Sequence, residues 1–331
     1  MKQYHIYGLG AALVDTEIEV QDQELAQMNV DKGLMTLVDE TRQQELIAHL
    51  QGHLVHSKRA CGGSACNTII AASYFGANNY YSCKVANDDN GQFYLDDLKA
   101  AQVDSDYASS KPEGITGKCL VLITPDAERS MNTYLGISET LSEQELNADA
   151  IANSEYLYYE GYLVTSPTGR AAAIKARQIA EQHGVKTAIS LSDPGMVQFF
   201  KDGLVDMIGD GVDLLFCNEA EAMGWGDSSN LEDAIAQMKT LAKQFVITLG
   251  AKGAVLFDGQ QLIELPGHPV KAVDSNGAGD MFAGAFLYAL SQGHSFRQAG
   301  QLACRAAAEV VSHYGPRLQA EQHQQLLHSV L

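Results

Sequence analysis

The sequence has no Cys-x-x-Cys pair and no cysteines at metal-ligand spacing. Its six cysteines, Cys61, Cys66, Cys83, Cys119, Cys217 and Cys304, are scattered along the chain. That argues against a disulfide framework and points to buried thiols of a cytosolic protein. No apolar run approaches membrane-spanning length, and polar and charged residues come early. The chain is therefore expected to be soluble and cytoplasmic, with no membrane partner. Basic residues are scarce as well: 22 Lys and Arg stand against 41 Asp and Glu, a formal net charge of −19. This balance argues against nucleic acid as a partner. A polyphosphate would have to be met by backbone dipoles, a few bases and a metal ion. No low-complexity tract, internal repeat or linker rich in Pro, Gly or Ser interrupts the 331 residues, and 46% of them are hydrophobic. The chain reads as one core over 1–331 rather than as tandem domains.

What the sequence does have is a distinctive stretch at 273–286, Val-Asp-Ser-Asn-Gly-Ala-Gly-Asp-Met-Phe-Ala-Gly-Ala-Phe. A strand pattern ends nearby, at Leu262 to Leu265, and an apolar helical run follows through Phe282, Ala285, Phe286 and Ala289. Between them, Gly277, Ala278 and Gly279 can turn successive backbone N–H groups the same way, and the new helix adds its unpaired first-turn amides. Such a concavity holds an anion. Asp280 stands at its rim, where a carboxylate can take the proton of an attacking hydroxyl. A bare Gly-x-Gly-Asp is also compatible with a plain turn and an acid complementing the helix dipole.

Along the chain, residues 4–14 read as one strand leading into Asp15. The Gly8-Leu9-Gly10 pair lacks a third glycine, since Leu13 stands in its place, and a dinucleotide-binding turn is rejected. Two pairs of short alternating runs, 17–20 with 33–38 and 118–124 with 129–135, interrupt the pattern. Strands are expected at 80–85, 156–160, 186–190, 213–217 and 244–249, and helices at 91–102, 168–182, 231–242, 278–291 and 295–313. That alternation implies a mainly parallel sheet covered on both faces. Cys61-Gly62-Gly63-Ser64-Ala65-Cys66-Asn67 opens another apolar helix, with glycines that admit a ligand and an amide that can donate and accept. Asn218-Glu219-Ala220-Glu221 and Thr248-Leu249-Gly250-Ala251-Lys252-Gly253 each follow a strand.

Taken in order, these strings resemble the signatures of the PfkB carbohydrate and nucleoside kinases, the ribokinase-like family. The resemblance covers essentially the whole chain. It implies a three-layer α/β/α core with a mainly parallel central sheet and a small β-sheet lid formed by inserted segments at about 15–38 and 107–136. It implies transfer of the ATP γ-phosphoryl group to a primary hydroxyl, with Asp280 as base and the amides of Gly277, Ala278, Gly279 and Asp280 stabilising the developing charge. Asp15, placed at the end of the first strand, with Gly62, Gly63 and Asn67, would bind substrate hydroxyls. Asn218, Thr248, Gly250 and Gly253 would meet ATP. Glu221 would position Mg²⁺ through its water shell, and Asp274, with carbonyls near Gly315, would match a K⁺ site.

The strings Lys32-Gly33-Leu34-Met35 and 124–135 look more like bacterial adenosine-kinase-type members than ribokinase or fructokinase. Tyr162 would stack on a base, with Met35, Leu37 and Met131 closing an apolar slot. A one-residue shift would make Leu163 the wall instead, and the methionines fit lid core equally well. Arg129 would reach the transferring phosphate or stay solvated on the lid. The partners implied are a nucleoside, most readily adenosine, and ATP. A sugar kinase for ribose, fructose or 2-keto-3-deoxygluconate is the alternative, and a ligand-binding relative without catalysis is a third reading. Monomer and homodimer both stay open, because the lid sheet can face solvent or a second copy.

Overall fold

A computed structural model describes residues 2–53 and 55–331. The chain starts with β1 (Tyr4–Leu9) and β2 (Leu13–Glu19), then α1 (Asp22–Gln27), β3 (Met35–Leu37), α2 (Glu40–His49) and β4 (Val55–Gly62). Next come α3 (Ser64–Phe75), β5 (Asn79–Ser82), α4 (Asp89–Ala100), β6 (Gly117–Ile123) and β7 (Arg129–Tyr134). The middle holds α5 (Ala148–Ala152), β8 (Ser154–Glu160), α6 (Pro167–Gln182), β9 (Lys186–Ser190), α7 (Pro194–Ile208) and β10 (Val212–Asn218). It closes with α8 (Glu219–Trp225), α9 (Leu231–Leu241), β11 (Ala242–Thr248), β12 (Gly253–Phe257), β13 (Leu262–Pro266), α10 (Ala278–Ser291), α11 (Phe296–Val310) and α12 (Ala320–Val330).

Eight strands form the large sheet in the order β13-β12-β11-β10-β9-β8-β1-β5. β5, β1, β8, β9, β10 and β11 run parallel, and β12 and β13 add an antiparallel edge. The strands alternate between two cores, as a sheet buried on both faces must. Tyr156 and Tyr158 of β8, with Leu214 and Phe216 of β10, pack under α3, α4, α10, α11 and α12. Leu157, Tyr159, Leu215 and Cys217 pack on the other face under α5 to α9. The molecule is a three-layer α/β/α fold.

A second sheet, in the order β3-β7-β6-β2-β4, forms the lid. Its outer face carries Ile18, Val20, Leu120 and Leu122, which pack with Leu25, Met28, Leu46 and Leu50. The chain's own α1 and α2 therefore cover that face. The register lines up Asp15, Cys119 and Thr133 in one row, and Glu17, Val121, Met131 and Met35 in the next.

Two expectations need correction. Residues 4–14 are not one strand: β1 ends at Leu9, the chain crosses at 10–12, and β2 belongs to the lid, so Asp15 is a lid residue. The expected lid segments also omit β4, which pairs antiparallel with β2, while 107–116 contribute no lid strand. The crossing is where the two glycines matter. A Cβ on Gly8 would lie 2.4 Å from Ile69, and one on Gly10 would lie 2.7 Å from both Ala65 and the Glu160 carboxylate. Their bareness lets α3 lie against β1.

Candidate active site

Parallel strands deliver their carboxyl ends to one edge of the sheet, where ligands of such folds gather. Here Glu160 of β8, Ser190 of β9, Cys217 and Asn218 of β10 and Thr248 of β11 border one cavity of about 340 Å³. The lid roofs it with Asp15, Met35, Cys119, Arg129, Met131 and Thr133. The first turns of α3 and α10 complete it, bringing Ser64 and Asn67 to face Gly277, Ala278, Gly279 and Asp280.

Gly277 takes the left-handed conformation, φ 71°, and caps α10. A Cβ there would meet Pro316 at about 2.5 Å, whereas one on Gly279 would meet nothing within 4 Å. The open side of the turn is thus at Gly279, where the free amides of the helix start are exposed. Across from it, Ser64 Oγ donates to Asp280 Oδ1 at 2.7 Å, and Asn67 Nδ2 donates to Oδ2 at 3.0 Å. Burial raises the pKa of Asp280, while these two donors and Arg129 pull it back down.

Asp15 Oδ1, Asn67 Oδ1 and Ser275 Oγ are buried with no hydrogen-bond partner, and all three residues line the cavity. Leaving such oxygens unpaired costs about 1–3 kcal/mol each. Gly62 makes room for one of them: a Cβ there would sit 2.1 Å from the Asp15 carboxylate. Gly63, φ 91°, faces Ala11 O at 2.3 Å from its would-be Cβ. Burial, with Glu17 nearby, raises the Asp15 pKa well above the usual carboxylate value.

Comparison with known proteins gives this arrangement a context. A model described as pfkB family carbohydrate kinase matches residues 34–323. The chain belongs to this family. A probable sugar kinase protein from Rhizobium etli CFN 42 superposes with a TM-score of 0.93 at 31% identity, over 100% of both chains. The adenosine kinase of Sinorhizobium meliloti superposes with a TM-score of 0.92 at 30% identity, over 98% of this chain and 99% of that one. The adenosine kinase of Saccharomyces cerevisiae is 28% identical over 333 residues, 95% of this chain and 96% of its relative. As a PfkB-family member the protein is an ATP-dependent phosphotransferase with an alcohol group as acceptor, in a family of sugar and nucleoside kinases.

Within this PfkB fold, most of the expected residues border the one cavity. Gly62, Asp274 and Gly253 do not. Gly253, φ 107°, is pressed against β13, with Leu265 O 2.1 Å from a would-be Cβ, so it serves the sheet edge rather than the nucleotide side. Gly250 is open, with nothing within 4 Å of a would-be Cβ, and lines the cavity with Thr248. Asn218 and Glu221 form a capping box at the start of α8 as well as lining the cavity: Asn218 N and Nδ2 donate to Glu221, and Glu221 N donates back to Asn218 Oδ1. Burial pushes the Glu221 carboxyl up to about 7.

Tyr162, half-buried, lines the cavity and donates its hydroxyl to Ser192 O at 3.2 Å. Leu163 is core, 4% exposed, and Leu37 is 40% exposed and off the cavity. Arg129 turns inward, where Tyr162, Asp280, Glu128 and Asp193 favour its charge against the cost of burial. Asp274 is fully buried, accepting from Asn276 N at 2.8 Å and Gly315 N at 2.9 Å. Glu160 and Ser192, which line the cavity, and Asp193, which lies off it, have no motif that singles them out. Only Ser64, inside the Gly-Gly-x-x-x-Asn string, was within reach of pattern reading.

Proposed function

We propose that this protein is a nucleoside kinase that phosphorylates the 5′-hydroxyl of adenosine. The observation that carries the reading is the double character of the acceptor side of the cavity. One part holds the unpartnered oxygens of Asp15 and Asn67, suited to ribose hydroxyls. The adjoining part is apolar: Leu13, Met35, Cys119, Met131 and Leu135 from the lid, with Tyr162 from the core. A free sugar has nothing to fill that slot, whereas a purine buries a flat apolar face against it. The lining also holds Asp15, Glu128, Glu160, Glu221 and Asp280 against Arg129 as its single cation. That balance opposes an acidic acceptor such as 2-keto-3-deoxygluconate. The relatives named adenosine kinase support the same choice.

In the reaction, Asp280 takes the proton of the acceptor hydroxyl as that oxygen bonds to the γ-phosphorus, and ADP leaves. Burial makes Asp280 the stronger base for the task. The amides of residues 277–280, at the positive end of α10, face the charge that builds on the transferring group. Arg129 approaches it from the lid. Mg²⁺, when bound, would neutralise phosphate charge. Glu221 suits a hydrated ion, because both of its oxygens already accept from Asn218. K⁺ would be held by Asp274, whose buried carboxylate has the acidic Glu17 beside it.

The test is ATP consumption with Mg²⁺ and K⁺ across adenosine, other nucleosides, ribose, fructose and 2-keto-3-deoxygluconate. Turnover on adenosine and none on free sugars supports the proposal, and Tyr162→Ala should then raise the adenosine KM well above that of Tyr162→Phe. Turnover on a sugar alone reduces the apolar slot to lid core and makes the protein a sugar kinase.

A further inference from the structure

Glu160 is the least expected group at the site: a carboxylate 1% exposed at the end of a central strand. Among the described residues it has no cationic partner. Instead Oε1 accepts from Ala11 N at 2.8 Å and Oε2 from Ala65 N at 2.7 Å. The two donors belong to different parts of the acceptor site. Ala11 sits in the crossing from β1 to the lid strand that carries Asp15. Ala65 is in the first turn of α3, which carries Ser64 and Asn67. That turn begins at Gly63, an N-cap without a side chain to satisfy the free amides. Glu160 reaches in from β8 as the missing cap, with its charge at the positive end of the helix. Gly10 gives it passage, since a Cβ there would lie 2.7 Å from Oε2. The rejected Gly8-Leu9-Gly10 motif thereby gains a purpose.

We propose that Glu160 is a positioning residue that pins the root of the lid to the start of α3, so that Asp15 and Asn67 converge on the same acceptor. The inference rests on Asp15 and Asn67 being acceptor contacts. Losing one or both charge-assisted bonds lets the two segments drift independently, which loosens acceptor binding and leaves the nucleotide side alone. Glu160 also borders the cavity, so direct contact with one acceptor hydroxyl is the rival role.

Glu160→Gln keeps the size but sets an NH₂ group against one of the two amides. The measurement is KM for adenosine, 2′-deoxyadenosine, 3′-deoxyadenosine and ATP, with Tm alongside. The expected result is a rise of about tenfold or more, the scale of a lost hydrogen bond to a charged group, by the same factor for all three nucleosides and with ATP unchanged. A deoxy analogue indifferent to the substitution would make Glu160 a ligand of the missing hydroxyl. A lower Tm with every KM unchanged would make it purely structural. Either result overturns the proposal. If the Gln variant does not fold, Glu160→Asp, which keeps the charge and retracts it by one methylene, is read the same way. Should the active acceptor prove to be a sugar, its deoxy analogues replace the nucleosides. If Asp15→Ala leaves the acceptor KM unchanged, the contact assignment itself has failed, apart from anything Glu160 does.

Discussion

Asp280 and the glycines before it divide their work in a way single substitutions can expose. Asp280→Asn keeps the size and one acceptor oxygen, for Ser64 or Asn67 but not both, and removes the base. The expected outcome is a loss of about 10²–10⁴ in kcat, with adenosine affinity by calorimetry close to that of the unaltered protein. Turnover near the original rate would remove Asp280 from the role of base. Gly277→Ala and Gly279→Ala should separate folding from catalysis. The first forces a side chain into φ 71° and against Pro316, so Tm should fall. The second meets no neighbour and should leave Tm alone, while its methyl enters the open side of the turn and lowers kcat/KM. Equal Tm losses in the two variants would contradict this division.

Between elements, the bonds holding Asp280 depend on how closely α3 and α10 approach. A Cβ on Gly284 of α10 would lie 2.5 Å from Thr68 O and 2.8 Å from Ala71 Cβ on α3. Gly284→Ala should push the helices apart, cost about 1–3 kcal/mol of stability as overpacking does, and lower kcat by stretching the contacts of Ser64 and Asn67 with Asp280. Thermal unfolding and kinetics on the same sample check it; a Tm loss with intact kcat would show that the helices part without disturbing the site. Most elements around this contact were legible. The strand runs of β8 to β11 are short, nearly continuous apolar stretches set between helical patterns, and α10 and α11 follow strong apolar patterns. Others left little signal. The apolar run continues from Leu9 through Val14, so nothing but Gly10 marks the change of sheet between β1 and β2. β4 reads Val-His-Ser-Lys-Arg-Ala-Cys-Gly, with no alternation, and α7 is interrupted by Gly203 and by the non-helical Phe200. At the site, glycine-bearing strings announce themselves because backbone shape needs particular residues. A lone Glu160 or Asp193 becomes informative only when the fold shows what faces it.

Across the whole molecule, acidic charge has been buried in separate places, and that sets a pH dependence. Burial pushes Glu17, Glu160 and Glu221 each up to about 7 from the usual 4.5. A carboxyl whose folded pKa is raised binds its proton more tightly in the folded state. Its contribution to stability is complete below about pH 4.5 and is lost as pH rises through 7. Each pKa unit corresponds to about 1.4 kcal/mol, so the three shifts act together to make the folded state less stable across that window. The net charge of −19 adds self-repulsion of the same sign. Calorimetric Tm, measured without ligands, should therefore fall from pH 5.5 to pH 8. Glu17 is the group to alter: it is 1% exposed, lies outside the main cavity and accepts from Asn276 Nδ2 at 3.4 Å, a bond a glutamine oxygen can also accept. Glu17→Gln removes one buried charge next to Asp274, so it should raise Tm at pH 8, leave it nearly unchanged at pH 5.5 and flatten the slope between them. A Tm that rises with pH, or a slope the substitution leaves untouched, would mean that these glutamates keep ordinary pKa values inside the fold.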